Sequence, residues 1–219
     1  NFAPPVEKIR VLAGRSKDQT EYMKLLDERY EALKQKSGKP QKGDDNALSI
    51  TNDAKKASLD MRLIDPLAPD FEGSKVNLAV KNAIKIYRRF QGVKGTQLIC
   101  CDLSTPKLSQ KTRAKLEALK DKALKGDEEA ALKLEEYADE GVSLEDSFSV
   151  YEDMREKLIK GGVKEDEIAF IHDYDTDVKR KELFEKVNSG DIRIVFGSTK
   201  KIGTGVNIQK RITALHNLD

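Results

Sequence analysis

The chain has 219 residues, with 40 Lys or Arg against 38 Asp or Glu and a formal net charge of +2. That length accommodates one full domain with an extension, or two small domains. The near-balance of charge excludes binding of nucleic acid or membrane through a global field, so any such partner must be met by a local patch.

Charged residues make up 36% and aromatics 6%, with no Trp, and mean hydropathy is −0.62. This describes a strongly helical chain with a modest core. No run of about 18 apolar residues and no basic-then-apolar leader occurs, so a cytoplasmic setting without a membrane is expected. The opening NFAPP carries no Met and reads as the interior of a larger protein. Cys100 and Cys101 are adjacent within an apolar run. They can hardly pair with each other and offer no metal spacing, so they read as small buried hydrophobes in a reducing compartment.

In chain order, Pro4 and Pro5 prevent early helix, and VEKIRVLAG offers at most one short edge strand. From Ser16, Tyr22, Leu25, Leu26, Tyr30 and Leu33 recur at helical spacing up to the KSGKPQKGDD cluster, predicting a helix followed by a loop. NALSITNDAKKASLDMRLIDP reads as a short helix running into a loop. Ser74 is placed to cap a helix whose Val76, Ala79, Val80, Ala83, Ile84 and Tyr87 form one apolar stripe ending near Phe90. TQLICCD, bounded by Gly and a polar turn, is the pattern of a strand buried on both faces of a parallel sheet.

Lys107 to Glu140 interleaves eight basic and nine acidic residues with Ala and Leu. It predicts a solvated helical insertion, spanning 107–146 and broken near Gly126; a partner-binding arm is the alternative. Beyond it come helix FSVYEDMREKLIKGG, strand EIAFIHD, helix TDVKRKELFEKVNSG, strand DIRIVFGST and a last strand ITALHNL. Strand and helix alternating over short connections implies an open α/β sheet of parallel strands, covered on both faces. The organisation expected is a mainly helical extension over 1–72 and an α/β lobe over 73–219.

Ligands of such sheets sit at the carboxyl ends of the strands, which singles out 102–106, 172–176 and 198–209. Gly203, Thr204 and Gly205 give a turn whose amides could approach an anion closely. It is not a GxxxxGK[ST] loop, so by that motif it cannot hold a nucleoside triphosphate, and a plain turn between sheet and helix is the alternative. His172 and Asp173 invite a base-and-orienter reading. Neighbours on a strand point to opposite faces, however, so a strand-end His and a helix-capping Asp are favoured. His216 stands alone within a strand without a metal-like partner. Asp102 is a strand-end acid or an ordinary turn residue. No catalytic set and no metal site are expected.

Four segments in order, QLICCDLSTPK, EIAFIHDYDTDVKRKELFEKVNSGDIRIVFGSTK, KIGTGVNIQ and ITALHNLD, resemble the second RecA-like lobe of superfamily-two helicases. The similarity is greatest to the Swi/Snf-type modules of large DNA methylase-helicase proteins of phages, plasmids and conjugative elements. It covers most of the chain after Ser74, and ITNDAKKASLDMRLIDP extends it back to about Asp44. The resemblance implies a RecA-like open parallel sheet with a helical N-terminal extension and the charged insertion. It places Asp102, Ser104, Ser198, Thr199 and Lys200 against the DNA backbone, where Thr199 would donate to a phosphate without reading any base. It places Gly203, Thr204, Gly205 and Asn207 on the segment that couples the lobes around nucleotide, Asn207 standing where many relatives carry Asp.

Asp173 departs from the family, taking the place of a usual glycine. The implied cofactors are ATP and Mg²⁺ in the full-length protein, and the implied partners are DNA and a first RecA-like lobe. The phosphate loop, the Mg²⁺-binding acids and the final arginine motif of the family have no match within these residues. Such an arginine is worth roughly a thousandfold or more in rate, so the chain alone is expected neither to hydrolyse ATP nor to translocate. The alternatives from other classes are a non-catalytic α/β module binding protein or DNA, and a doubly wound small-molecule enzyme, for which no strand end offers an acid, base and nucleophile set.

Overall fold

The computed structural model describes residues 7–35, 45–104, 110–139, 148–203 and 207–219. Residues 7–16 run without secondary structure, and Ile9 and Leu12 are exposed. The edge strand expected in VEKIRVLAG is therefore absent among them: no neighbouring strand meets their amides.

Helix α1, Lys17–Gln35, starts at a capping box. Ser16 Oγ accepts from Gln19 N while Gln19 Oε1 accepts from Ser16 N, each at 3.0 Å, which satisfies two orphan donors. Helix α2, Ala47–Leu59, is capped likewise by Asn46 and Ser49. The two helices pack together, with Gln19 Nε2 reaching Ala57 O at 2.7 Å and Arg29 paired to Asp45 and Asp53. Only Leu26 of the predicted apolar stripe of α1 is buried; Leu25 and Tyr30 are exposed.

Residues 60–72 join this helical pair to the lobe. Asp60 opens a short 3-10 turn, and Arg62, itself buried, bridges Asp60, Asp70 and Asp153 while stacking 4.1 Å from the centre of the Phe148 ring. Leu59 is fully buried in the same cluster as the lobe's own core.

Helix α3, Lys75–Arg89, is capped by Ser74 as its sequence predicts, and lays Val76, Ala79, Val80, Ala83 and Tyr87 inward. Strand β1, Thr96–Cys100, follows. The insertion then forms two helices, α4, Gln110–Leu124, and α5, Glu128–Asp139, hinged at Gly126, whose φ of 90° needs glycine. They pack on each other. The base of the insertion is pinned, because Ser104 Oγ accepts from Val150 N at 3.0 Å.

Helix α6, Val150–Lys160, buries Tyr151, Met154 and Leu158. Next come β2, Ile168–Phe170; α7, Asp177–Ser189; β3, Ile194–Gly197; the short α8, Thr199–Gly203; and β4, Ile212–Asn217. The four strands form one all-parallel sheet in the order β2-β3-β1-β4.

Period-two alternation divides the strands between two cores. Ile99, Cys101, Ile168, Phe170, Ile194 and Phe196 face α3 and α6; Leu98, Cys100, Ala169, Ile171 and Val195 face α7 and α8. The chain moves from β1 to β2 over the first face, and returns from β2 to β3 and on to β4 over the second. Opposite directions on opposite faces give all three crossovers the same hand, as the twist of parallel strands requires. The architecture is the expected α/β open parallel sheet with helices on both faces.

Candidate functional site

Neighbouring strands β1 and β3 send the chain to opposite faces of the sheet, β1 toward α6 and β3 toward α8. Between their carboxyl ends lies the switch point where open α/β sheets place ligands. Cys100 pairs with Gly197 in register and Cys101 N donates to Gly197 O at 3.1 Å, so the two strands end level. Asp102 therefore comes to lie beside the first residues of α8.

There Thr199 N donates to Asp102 Oδ1 at 2.7 Å. Ser198 caps the same turn: its Oγ accepts from Lys201 N at 3.2 Å and its carbonyl from Ile202 N at 2.9 Å. A side-chain oxygen of Asp219 accepts from Asp102 N, and Leu218 N donates to Cys100 O. Three strand ends are thus tied into one platform, with Asp102 linking β1 to both neighbours. Burial pushes the Asp219 carboxyl above its ordinary value, and the nearby Asp102 carboxylate adds to the rise.

The predicted site residues divide sharply. Asp102, Ser198 and Thr199 are brought together, with Thr199 and Lys200 exposed and Ser198 half-buried. Ser104 is buried and engaged with Val150 N, so it holds the first turn of α6 rather than facing solvent. Gly203 ends α8, whereas Thr204 and Gly205 lie outside the described residues. Asn207 is exposed, and its carbonyl accepts from Asn188 Nδ2 at 2.7 Å.

Asn188 fixes this return segment from three sides. Besides Asn207, its Oδ1 accepts from Lys210 N at 3.4 Å and its own carbonyl from Arg211 Nε at 3.0 Å. Ile208, buried in the core under α7, anchors the same stretch. Residues 207–211 are thus tied to Asn188, and Thr199 to Asp102.

His172 and Asp173 sit in a 3-10 turn, Ile171–Asp173, directly after β2. The His172 ring meets the Tyr151 ring edge-on at 5.5 Å, and burial raises the Asp173 carboxyl above its usual range. The cap of α7 is Thr176, whose Oγ1 accepts from Lys179 N, so Asp173 does not play the capping role its position suggested. Tyr151 in turn donates to Cys101 O at 2.9 Å. Both cysteines are buried, and burial pushes the Cys100 thiol up to about 11 and Cys101 higher still. Neither is a nucleophile at neutral pH.

His216 meets Gln97 Oε1 at 2.9 Å, and burial lowers its pKa. Gln97 is itself wholly buried and donates to Ala83 O, so this pair couples the edge strand β4 to α3. Among the described residues no group of three or more His, Cys, Asp or Glu could hold a metal ion. None of their helices is long and apolar enough to cross a membrane.

The platform can therefore offer an anion hydroxyl groups at Ser198 and Thr199 and an ammonium at Lys200. Asp102 and Asp219 are occupied in accepting backbone amides. Asp219 and Asn188 escape a reading of the sequence, because an Asp after a strand and an Asn near a helix end are ordinary termini and only the paired partner shows their work. Comparison with protein-family models, with curated proteins and with solved structures finds no match to this chain.

Proposed function

We propose that this chain is the second motor lobe of an ATP-driven DNA translocase of the superfamily-two, Swi/Snf type. The observation that carries the reading is the Asp102–Thr199 bond at the switch point of an all-parallel sheet. It presents Ser198, Thr199 and Lys200 as one rigid turn at the carboxyl edge. Hydroxyl donors and an ammonium suit a phosphodiester backbone, which is bound without reference to base sequence. Ser198 Oγ accepts from Lys201 N, which leaves its hydrogen to donate outward.

ATP, when bound between this lobe and a first one, supplies the free energy of closure. Asn207 stands on the exposed return segment where its side chain can meet a ribose, and Asn188 fixes its backbone. The resemblance puts the Mg²⁺ ligands and the phosphate loop in the first lobe, and here Asp102 and Asp219 accept backbone amides. Closure would carry the Ser198–Lys200 turn along a DNA strand, because α8 moves with the sheet to which Ile202 anchors it.

Binding of the 219-residue chain to a labelled DNA duplex, followed by anisotropy over a salt series, tests the DNA half. Affinity should fall linearly with salt on logarithmic axes, and Lys200→Ala should reduce the slope by about 1. Affinity indifferent to salt would sink the phosphate contacts. The native reading frame tests the nucleotide half: an upstream phosphate loop and a downstream Gln-Gly-Arg segment are expected. A frame lacking both leaves a DNA-binding module without a motor.

A further inference from the structure

Helix α1 carries more apolar surface than the described residues cover. Leu26 is buried against α2, but Tyr22 is only half-buried and Leu25 is exposed. Both line a cavity of about 510 Å³ between α1 and the 61–69 segment, where Met61, Ile64 and Leu67 form the opposite wall. Leu67 is 92% exposed and, with Leu25, Met61 and Ile64, makes the apolar lining contiguous across the groove.

The rim of this groove has one sign of charge. Among the described residues that line it, the charged ones are Asp18, Glu21 and Asp65, all acidic. The neighbouring cation Arg62 is turned away into the buried cluster of Asp60, Asp70 and Asp153. Arg29, further along α1, is engaged by Asp45 and Asp53. Asp65 also accepts from Leu67 N, so the acid and the exposed leucine are held in fixed relation.

We propose that this groove is a docking site for a basic amphipathic helix of a partner protein. Its aliphatic side chains at helical spacing would fill the space between Leu25 and Leu67, and its Lys or Arg flanks would meet Asp18, Glu21 and Asp65. A helix rather than a strand fits because both walls are helical or turn structure, with no open sheet edge to extend. Acidic or DNA partners are repelled by the rim. The site lies on the N-terminal helical pair and its connection to the lobe, independent of the turn at Thr199.

The test uses the 219-residue chain and a fluorescent peptide of leucine and lysine with leucines at i, i+3, i+4 and i+7. Two controls are a leucine–glutamate peptide of the same pattern and a serine–lysine peptide. Saturable binding of the leucine–lysine peptide alone is expected, weakened about tenfold or more by Leu25→Ser and, separately, by Glu21→Lys. Hydrogen-exchange protection should appear in 17–25 and 61–69. Glu21 is exposed, so its substitution leaves folding intact and keeps the test decisive should Leu25→Ser disturb α1. Absence of binding, equal binding of either control, binding indifferent to Glu21→Lys, or protection elsewhere would each overturn the proposal.

Discussion

The Asp102 carboxylate and the Thr199 amide, 97 positions apart, meet at 2.7 Å across the ends of two neighbouring parallel strands. The bond satisfies a donor that the first turn of α8 would otherwise leave without a partner. Asp102→Ala should therefore free the 198–203 turn at a cost of about 1 kcal/mol, a typical value for a lost cap. Asp102→Asn keeps an acceptor oxygen and should retain most of that stability. Amide exchange at Thr199, read by mass spectrometry or NMR, separates the two variants. Equal exchange in wild type and Asp102→Ala would deny the cap any role.

The same turn is fixed from beneath at Gly197. A Cβ there would stand 2.7 Å from both Ile171 Cγ2 and Ile202 Cγ1, too close for any real contact. Ile202 is the apolar anchor of α8. Gly197→Ala should cost about 1–3 kcal/mol through overpacking, and should relieve itself by pushing α8 away from the sheet. Chemical denaturation measures the first effect. Weakened DNA binding with an unchanged salt slope would mark the second, because the charges remain while their positions shift. A Gly197→Ala protein as stable as wild type would mean that Ile202 repacks freely.

Arg62 is the heaviest single commitment in the joint between extension and lobe. Its guanidinium bonds Asp60 Oδ1 and Oδ2 at 2.9 and 2.8 Å and Asp153 Oδ1 and Oδ2 at 2.9 and 3.1 Å. Removing it by Arg62→Ala leaves the buried Asp60 carboxylate without its cation, while Asp153 keeps Lys157 at 2.7 Å; stranding one buried partner of a pair typically costs about 3–5 kcal/mol. Arg62→Lys should recover only part of that, since one ammonium cannot serve both forks. Thermal unfolding of the two variants gives the comparison. A loss no larger than that of an exposed ion pair would show that Arg62 contributes no more than a surface charge.

Acid should loosen the same joint and the α1–α2 contact. Burial alone would raise the Asp70 carboxyl, but hydrogen bonds from Lys157 and Asn77 outweigh it and hold it below the usual carboxylate range. The Arg29 hydrogen bond holds Asp45 down to about 2. Groups depressed on folding contribute stability above the unfolded value near 3.8, and that contribution is lost as pH falls through the folded value. Arg29→Gln should accordingly flatten the stability profile below pH 4, measured as the difference between variant and wild type.

Much of the sheet was legible because its signals are local. TQLIC and IVFG are apolar runs bounded by glycine or polar turns, and both are buried throughout. Ser74 stands where a hydroxyl precedes an amphipathic run and caps its helix, whereas the cap of α7 is Thr176 and not the Asp173 that the sequence favoured. The site was legible only as three loops. Which of their residues meet depends on strand order, and nothing near Asp102 announces that β3 rather than β2 lies beside β1. Ser104, set against the DNA backbone by resemblance alone, is buried and accepts from Val150 N, a contact that depends on the start of α6 being brought against it. The stripe on α1 shows the converse, since periodicity finds an apolar face but not whether the chain supplies anything to cover it.

His216 gives the edge strand a pH dependence of its own. Burial lowers its pKa from 6.5, so the unfolded chain binds a proton there more readily than the folded one. Stability from this group is full above about pH 6.5 and is lost as pH falls through the depressed folded value. Protonation would also turn the ring into a donor at both nitrogens, which the bond to Gln97 Oε1 tolerates and the surrounding apolar strand does not. Asp173 and Asp219, whose carboxyls burial raises, act in the opposite sense at lower pH, so the useful quantity is the difference between variant and wild type. His216→Gln retains an amide donor for Gln97 and cannot titrate. Urea unfolding across pH 5 to 7 should show a smaller fall in stability for His216→Gln than for wild type. Parallel profiles for the two proteins would mean that His216 keeps its ordinary affinity for the proton, and that β4 is more open to water than its contact with Gln97 implies.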